Sequence, residues 1–397
     1  MAISTIASRW RELSGDKNWE GLLQHPLDPD FRRYVIHYGE RTMAVGDLFN
    51  NDNQSSGYLH SLYPEDQFFS GAALQNNNIF KYVVTHFIDI ANNADQSAWI
   101  GYVAVTTDDG KVGVGRRDIL VAWRGTATDA EWLSNINFTQ TSPSELFGTD
   151  NNAKVHSGFL SLYTGTNSKT PMSARQQVLK AVRELVDKYK GEEISITVAG
   201  YSLGAALATL NAMDIVANGY NKPTGSSTST PSAGCMVTAF AYASPRVGND
   251  GLKQLFNTFQ DRLHLLRVTN ANDVVPLLPF GIFIWPYTHL GQELKIDSSK
   301  SGYLKSEVKQ PPPSEVSDTE RGGTIDLSAH NLDLHLHAIA LDQTGFGLEV
   351  DHDIALVNKH LDGLKDEFKI PPRWWDKENR SNMVQMDNGH WKFVQSA

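Results

Sequence analysis

The pentapeptide Gly200-Tyr201-Ser202-Leu203-Gly204 constrains this chain more than any other feature. Residues 194–199 before it form a short apolar run of strand type, and residues 204–217 after it are rich in Ala and Leu. A strand that enters so tight a turn and leaves as a helix needs small residues around the apex, because the two backbones nearly touch. Gly200, Gly204, Ala205 and Ala206 meet that need. A serine at the apex has a helix N-terminus directly behind it, a place that favours negative charge. The pentapeptide alone arises by composition in about one chain in ten of this length. The flanking strand and helix therefore carry the reading of Ser202 as a nucleophile.

Similar apolar runs occupy residues 102–106, 119–123, 236–241 and 263–269. Runs this short suit strands buried on both faces of a parallel sheet. Between them, residues 173–190 place Val178, Val182, Leu185, Val186 and Tyr189 on one helical face. Strands alternating with helices predict an α/β fold, a mainly parallel sheet with helices on both faces. All 397 residues are expected to form one domain, with a helical N-terminal extension to about residue 95 and a C-terminal extension from about residue 345 packed on it. Residues 218–234 and 310–323 read as mobile loops from their Ser, Thr, Gly and Pro content.

Charge and cysteine content narrow the function classes. Forty-five acidic residues against 35 basic ones give a net charge of −10, which argues against nucleic acid as a partner. Cys235 is the single cysteine, so no intramolecular disulfide forms. That fits a reducing compartment. The first twenty residues carry Arg9, Arg11, Glu12 and Asp16 and lack the apolar core of a signal peptide. No run approaches the roughly 18 apolar residues of a membrane span.

A serine nucleophile needs a base, an acid and fixed donors for the oxyanion. Asp273 lies in Asn272-Asp273-Val274-Val275-Pro276, just past the strand at 263–269 and 71 residues after Ser202. The order Ser, Asp, His is the one such an elbow fold uses. For the base, His330, His335 and His337 cluster in one stretch, and the residues leave His330 and His337 as alternatives. The Leu203 N–H is one oxyanion donor. Thr126, in Trp123-Arg124-Gly125-Thr126 after the strand at 119–123, is the candidate for the second. No H-E-x-x-H is present, and Asp351-His352-Asp353 lacks zinc-site spacing, so no metal or other cofactor is expected.

Three segments together resemble the class 3 lipases: Val155-His156-Ser157-Gly158-Phe159, the stretch from Ala199 to Ala208 around Ser202, and Ala241-Tyr242-Ala243-Ser244-Pro245-Arg246-Val247-Gly248-Asn249. The ends narrow the resemblance to plant phospholipases A1 of class II. They are Trp10-Arg11-Glu12-Leu13-Ser14-Gly15, the run His330-Asn331-Leu332-Asp333-Leu334-His335-Leu336-His337, Leu356-Val357-Asn358-Lys359 and Pro372-Arg373-Trp374-Trp375. The resemblance implies an α/β-hydrolase fold and hydrolysis of glycerolipid esters at sn-1 without metal. It assigns Ser202, Asp273 and the first histidine, His330, as triad. Transient contact with a lipid surface follows from such a substrate. The family's start coincides with the start of the chain, which the resemblance reads as no transit peptide and as a cytoplasmic location, in agreement with the single Cys235. Two positions depart from the family pattern. Tyr201 stands where His is usual, a change that leaves the chemistry intact, and His335 stands where Tyr is usual, beside the base.

The resemblance also suggests a lid. Trp132, Leu133 and Ile136 give a short apolar face after the Thr126 loop, and residues 280–285 are candidates for the acyl pocket or a membrane contact. Two rivals stay open at this level. One is another acyl hydrolase, such as a mono- or triacylglycerol lipase or a galactolipase. The other is a hydrolase-fold protein that binds a lipid or hormone without catalysis. The sequence leaves the oligomeric state open.

Overall fold

The structure is a computed structural model. It describes residues 5–76, 78–91, 95–126, 139–149, 152–225, 234–279, 286–309, 327, 329–341, 352–376, 378–387 and 389–394.

Seven of the described strands form one sheet whose spatial order is the chain order. They are β1 (Tyr82–Ala91), β2 (Ser97–Thr106), β3 (Arg117–Trp123), β4 (Ile194–Tyr201), β5 (Met236–Tyr242), β6 (Leu263–Asn270) and β7 (Gln292–Ile296). The β1–β2 and β2–β3 pairs are antiparallel. The four pairs from β3 to β7 are parallel. Every residue of β3, β5 and β6 is buried, which explains their high apolar content; the polar residues among them, such as Asp118 and Arg267, are buried too.

Parallel crossovers between neighbouring strands are almost always right-handed. Strands laid down in one direction therefore put their crossover helices on one face. On that face lie α3 (Ala174–Lys188) and α4 (Leu203–Ala217). Val178, Val182 and Leu185 of α3 and Leu203, Leu207 and Leu210 of α4 share a core with Val121, Val198 and Ala239 of the strands. The other face needs cover from segments outside the crossovers. It comes from α1 (Thr5–Leu13), α2 (Pro29–Asp47), α5 (Leu332–Ala340) and the C-terminal Trp374 and Trp375. Phe31, Tyr34 and Tyr38 of α2 pack there on Leu120, Phe240 and Leu266, the alternate residues of the same strands.

Local signals set the helix ends. Asp28 caps α2 by accepting from the amides of Asp30 and Phe31, with Pro29 at the first helical position. Ser173 and Gln176 close a capping box on α3. Thirteen consecutive residues of α4, Leu203 to Ile215, are buried, so this helix is apolar all round rather than amphipathic.

Two strands of the seven-stranded sheet lie where the sequence reading placed none. The edge strand β1 has a broken burial pattern and carries His86 and Asp89. The opposite edge, β7, holds Glu293 and Lys295 in five residues. The stretch to residue 95 thus contributes a strand to the central sheet and covers much of one face. The lid residues Trp132, Leu133 and Ile136, residues 280–285 and the loop at 310–323 lie outside the described residues.

Candidate active site

Ser202 sits at the junction of β4 and α4 with φ 56° and ψ −125°. A non-glycine residue at positive φ stores strain and persists only where its surroundings impose it. Here the Ser202 amide donates to the Tyr242 carbonyl on β5 at 3.0 Å, and the Ser202 carbonyl accepts from Ala205 at 3.0 Å. The small neighbours are obligatory. A Cβ on Gly200 would lie 2.1 Å from the Gly204 carbonyl oxygen, and one on Gly204 would lie 2.4 Å from that of Trp123.

The acid follows β6. The Asp273 amide donates to the Asn270 carbonyl at 3.0 Å, which turns the chain back over the sheet rim. The base lies just before α5, whose N-cap is Asn331; the Asn331 side chain accepts from the Leu334 amide at 3.1 Å.

These three residues, which lie far apart in the chain, meet. Ser202 Oγ is 2.8 Å from His330 Nε2, and His330 Nδ1 is 2.8 Å from Asp273 Oδ2. A carboxylate only accepts, so Nδ1 carries the proton and Nε2 is left free to accept from the serine hydroxyl. The other carboxylate oxygen, Oδ1, accepts the Val275 amide at 2.9 Å. Burial alone would raise the Asp273 pKa. The charge of His330 and the contacts from His330 and His335 outweigh it and bring the carboxyl down to about 2.

The other candidates lie as follows. The side chain of Ser202 does not cap α4, so it leaves the Leu203 amide at the first helical position free of that bond. Gly125 passes close to the elbow; a Cβ there would lie 3.3 Å from Ser202 Cβ. Half-buried Thr126 follows it and so lies on the stretch beside the nucleophile. His337 goes elsewhere: its Nε2 lies 2.8 Å from Ser301 Oγ, and burial pushes its pKa down to about 3. His330, not His337, is therefore the histidine at Ser202.

Two contacts escaped the sequence reading. Tyr201 stacks on the His330 ring, with centroids 4.9 Å apart and planes 26° apart, and its hydroxyl donates to the His330 carbonyl at 2.5 Å. His335 brings Nε2 to 3.5 Å from Asp273 Oδ2. Both positions were visible as departures from a family pattern, and both touch the His330–Asp273 pair. The site is closed over: Ser202 is 1% exposed and His330 and Asp273 are each 4% exposed.

A mainly parallel sheet with a strained serine at a strand-to-helix turn, an imidazole and a carboxylate in line at its rim, defines an α/β-hydrolase fold. Comparison with known proteins gives the family. Residues 120–283 match the family model Lipase (class 3). Phospholipase A1-II 7 of Oryza sativa subsp. indica is 42% identical over 97% of this chain and 96% of its own. Phospholipase A1-IIgamma of Arabidopsis thaliana is 40% identical over 98% of this chain and 93% of its own. Among solved structures, the nonglycosylated Yarrowia lipolytica LIP2 lipase is 18% identical with a TM-score of 0.48, covering 69% of this chain and 82% of that one. The chain belongs to the class 3 lipase family, alongside the plant phospholipases A1-II.

Proposed function

We propose that this protein hydrolyses acyl esters of glycerolipids and releases the sn-1 fatty acid from phospholipids. The observation that carries the reading is the unbroken line from Ser202 Oγ through His330 to Asp273, with 2.8 Å at each step. The near full-length similarity to phospholipases A1-II supports the substrate class.

His330 takes the Ser202 proton as the hydroxyl oxygen attacks the ester carbonyl. Asp273 holds the imidazole in its Nδ1–H tautomer and stabilises the imidazolium that forms. The oxyanion develops at the N-terminus of α4, where the Leu203 amide and Thr126 receive it. The tetrahedral intermediate collapses, the lysolipid leaves with the proton from His330, and an acyl-Ser202 ester remains. Water, deprotonated by His330, cleaves that ester and releases the fatty acid. Transient contact with a lipid surface goes with such a substrate. The single cysteine suits a cytosolic location.

Phosphatidylcholine with different acyl chains at the two positions tests the reading. The expected products are free sn-1 fatty acid and 2-acyl lysophosphatidylcholine. Release mainly from sn-2, or no release at all, contradicts it.

A further inference from the structure

The sheet fixes Ser202 directly through β4 and β5, and it fixes Asp273 through the end of β6. His330 belongs to no strand. It sits on a connecting stretch before α5, and connecting stretches are the mobile parts of a fold. Yet a proton relay needs its groups held within about 0.5 Å, and a misplacement of about 1 Å costs on the order of 100-fold in rate. Something outside the sheet must hold the base.

We propose that Tyr201 and His335 are the positioning residues of the base, Tyr201 by clamping His330 from the nucleophile's own strand and His335 by holding the peptide after His330, with its ring packed beside the Asp273 carboxylate. This role rests on the reading of Ser202 as nucleophile. Three successive carbonyls run through the base's position, and each meets a side chain from a different place. Ala329 O accepts from Asn270 Nδ2 at 3.4 Å, at the end of the acid's strand. His330 O accepts from the Tyr201 hydroxyl at 2.5 Å, one residue before the nucleophile. Asn331 O lies 2.8 Å from His335 Nδ1, one turn into α5. The Tyr201 ring adds a second constraint, because stacking on the imidazole fixes the plane in which Nε2 points at Ser202 Oγ.

His335 holds through its Nδ1. A backbone carbonyl only accepts, so His335 Nδ1 carries the proton shared with Asn331. Its Nε2 is buried, makes no hydrogen bond, and lies 3.5 Å from the same Asp273 oxygen that receives His330 Nδ1–H. The ring packs beside the carboxylate, whose two oxygens are held by His330 and by the Val275 amide. Asp273 is left one orientation, the one that keeps Oδ2 on His330. Neither Tyr201 nor His335 reaches the serine hydroxyl, so both act through His330.

The test uses the full chain, a short soluble p-nitrophenyl ester and a fluorophosphonate probe. Tyr201→Phe removes the hydroxyl and keeps the stack. His335→Leu removes both polar ends. Each is expected to lower kcat about 10-fold while KM stays within about twofold and the melting temperature is retained, because a displaced base slows the chemical step and not substrate binding. His335→Asn, whose amide nitrogen takes the place of Nδ1 and can donate to the Asn331 carbonyl, is expected to recover most of the loss. If His335→Leu does not fold, His335→Met replaces it, its unbranched chain carrying no donor for the Asn331 carbonyl. Wild-type kcat in Tyr201→Phe or in the His335 variant overturns the proposal. So does a loss that appears equally in KM and folding. Wild-type protein that neither hydrolyses the ester nor reacts with the probe overturns the hydrolase reading itself. Wild-type protein that does both, with variants of unchanged rate, overturns the positioning role alone.

Discussion

His330 Nδ1 lies 2.8 Å from Asp273 Oδ2, and the Val275 amide occupies the other oxygen of that carboxylate at 2.9 Å. The acid is thus held from both sides and offers the imidazole a single acceptor. Asp273→Asn keeps the size of the side chain but can present an N–H to Nδ1, which favours the wrong tautomer. We expect kcat to fall about 10³–10⁴-fold with little change in KM, measured by steady-state kinetics on a soluble ester.

The same carboxylate makes stability depend on acid. Its folded-state pKa, about 2, lies below the ordinary aspartate value of about 3.9. A depressed carboxyl pKa contributes stability that is fully present above the unfolded value and is lost as pH falls through the folded one. Between about pH 4 and pH 2 the melting temperature of the wild type should therefore drop, by an amount set by roughly 2 kcal/mol or more. Asp273→Asn should lack that part of the drop. Thermal melts across this range compare the two, and parallel curves would contradict the assignment.

Gly204 tests the elbow. A Cβ there would meet the carbonyl oxygens of Trp123 and Arg124 at 2.4 and 2.5 Å, both backbone atoms that cannot rotate away. Gly204→Ala should destabilise the fold by about 1–3 kcal/mol in denaturant titrations. It should also lower kcat, because the stretch that must give way leads into Gly125 and Thr126.

The C-terminal segment is expected to matter for the base as well. Buried Lys359 Nζ lies 2.9 Å from Asp47 Oδ2 on α2 and 3.3 Å from Asp333 Oδ1 on α5. Burial opposes its charge, but the two carboxylates outweigh burial and raise its pKa. Lys359→Ala leaves two buried carboxylates without their shared cation, which should cost about 3–5 kcal/mol. Urea unfolding measures it. Double substitution of Asp47 and Asp333 to Asn in the Lys359→Ala background should recover part of the loss.

How much of this was legible in the sequence follows from where each residue sits. The strands β3 to β6 are buried on both faces, so apolar residues predominate and the runs stand out, even with buried polar residues such as Asp118 and Arg267 among them. The edge strands β1 and β7 face water on one side or carry charges, and their patterns merge with loops. The elbow was legible because backbone contact between Gly200 and Gly204 permits no side chain. Asp273 was legible from its place after a strand and from chain order. His330 and His337 lie seven residues apart in one stretch, and periodicity alone did not separate them; Ser301, which receives His337, is distant in sequence. The clamps by Tyr201 and His335 were legible only as odd residues at positions near the site. Their partners are backbone carbonyls, which leave no mark on composition.

The central claim is that Ser202 is a nucleophile activated by His330. Reaction of the full-length protein with a fluorophosphonate, followed by peptide mapping of the adduct, tests it most directly. One phosphonyl group per chain should appear on Ser202, and His330→Gln should slow its formation by at least about 100-fold. An adduct elsewhere, no adduct on the folded wild type, or equal labelling rates in the two proteins would contradict it.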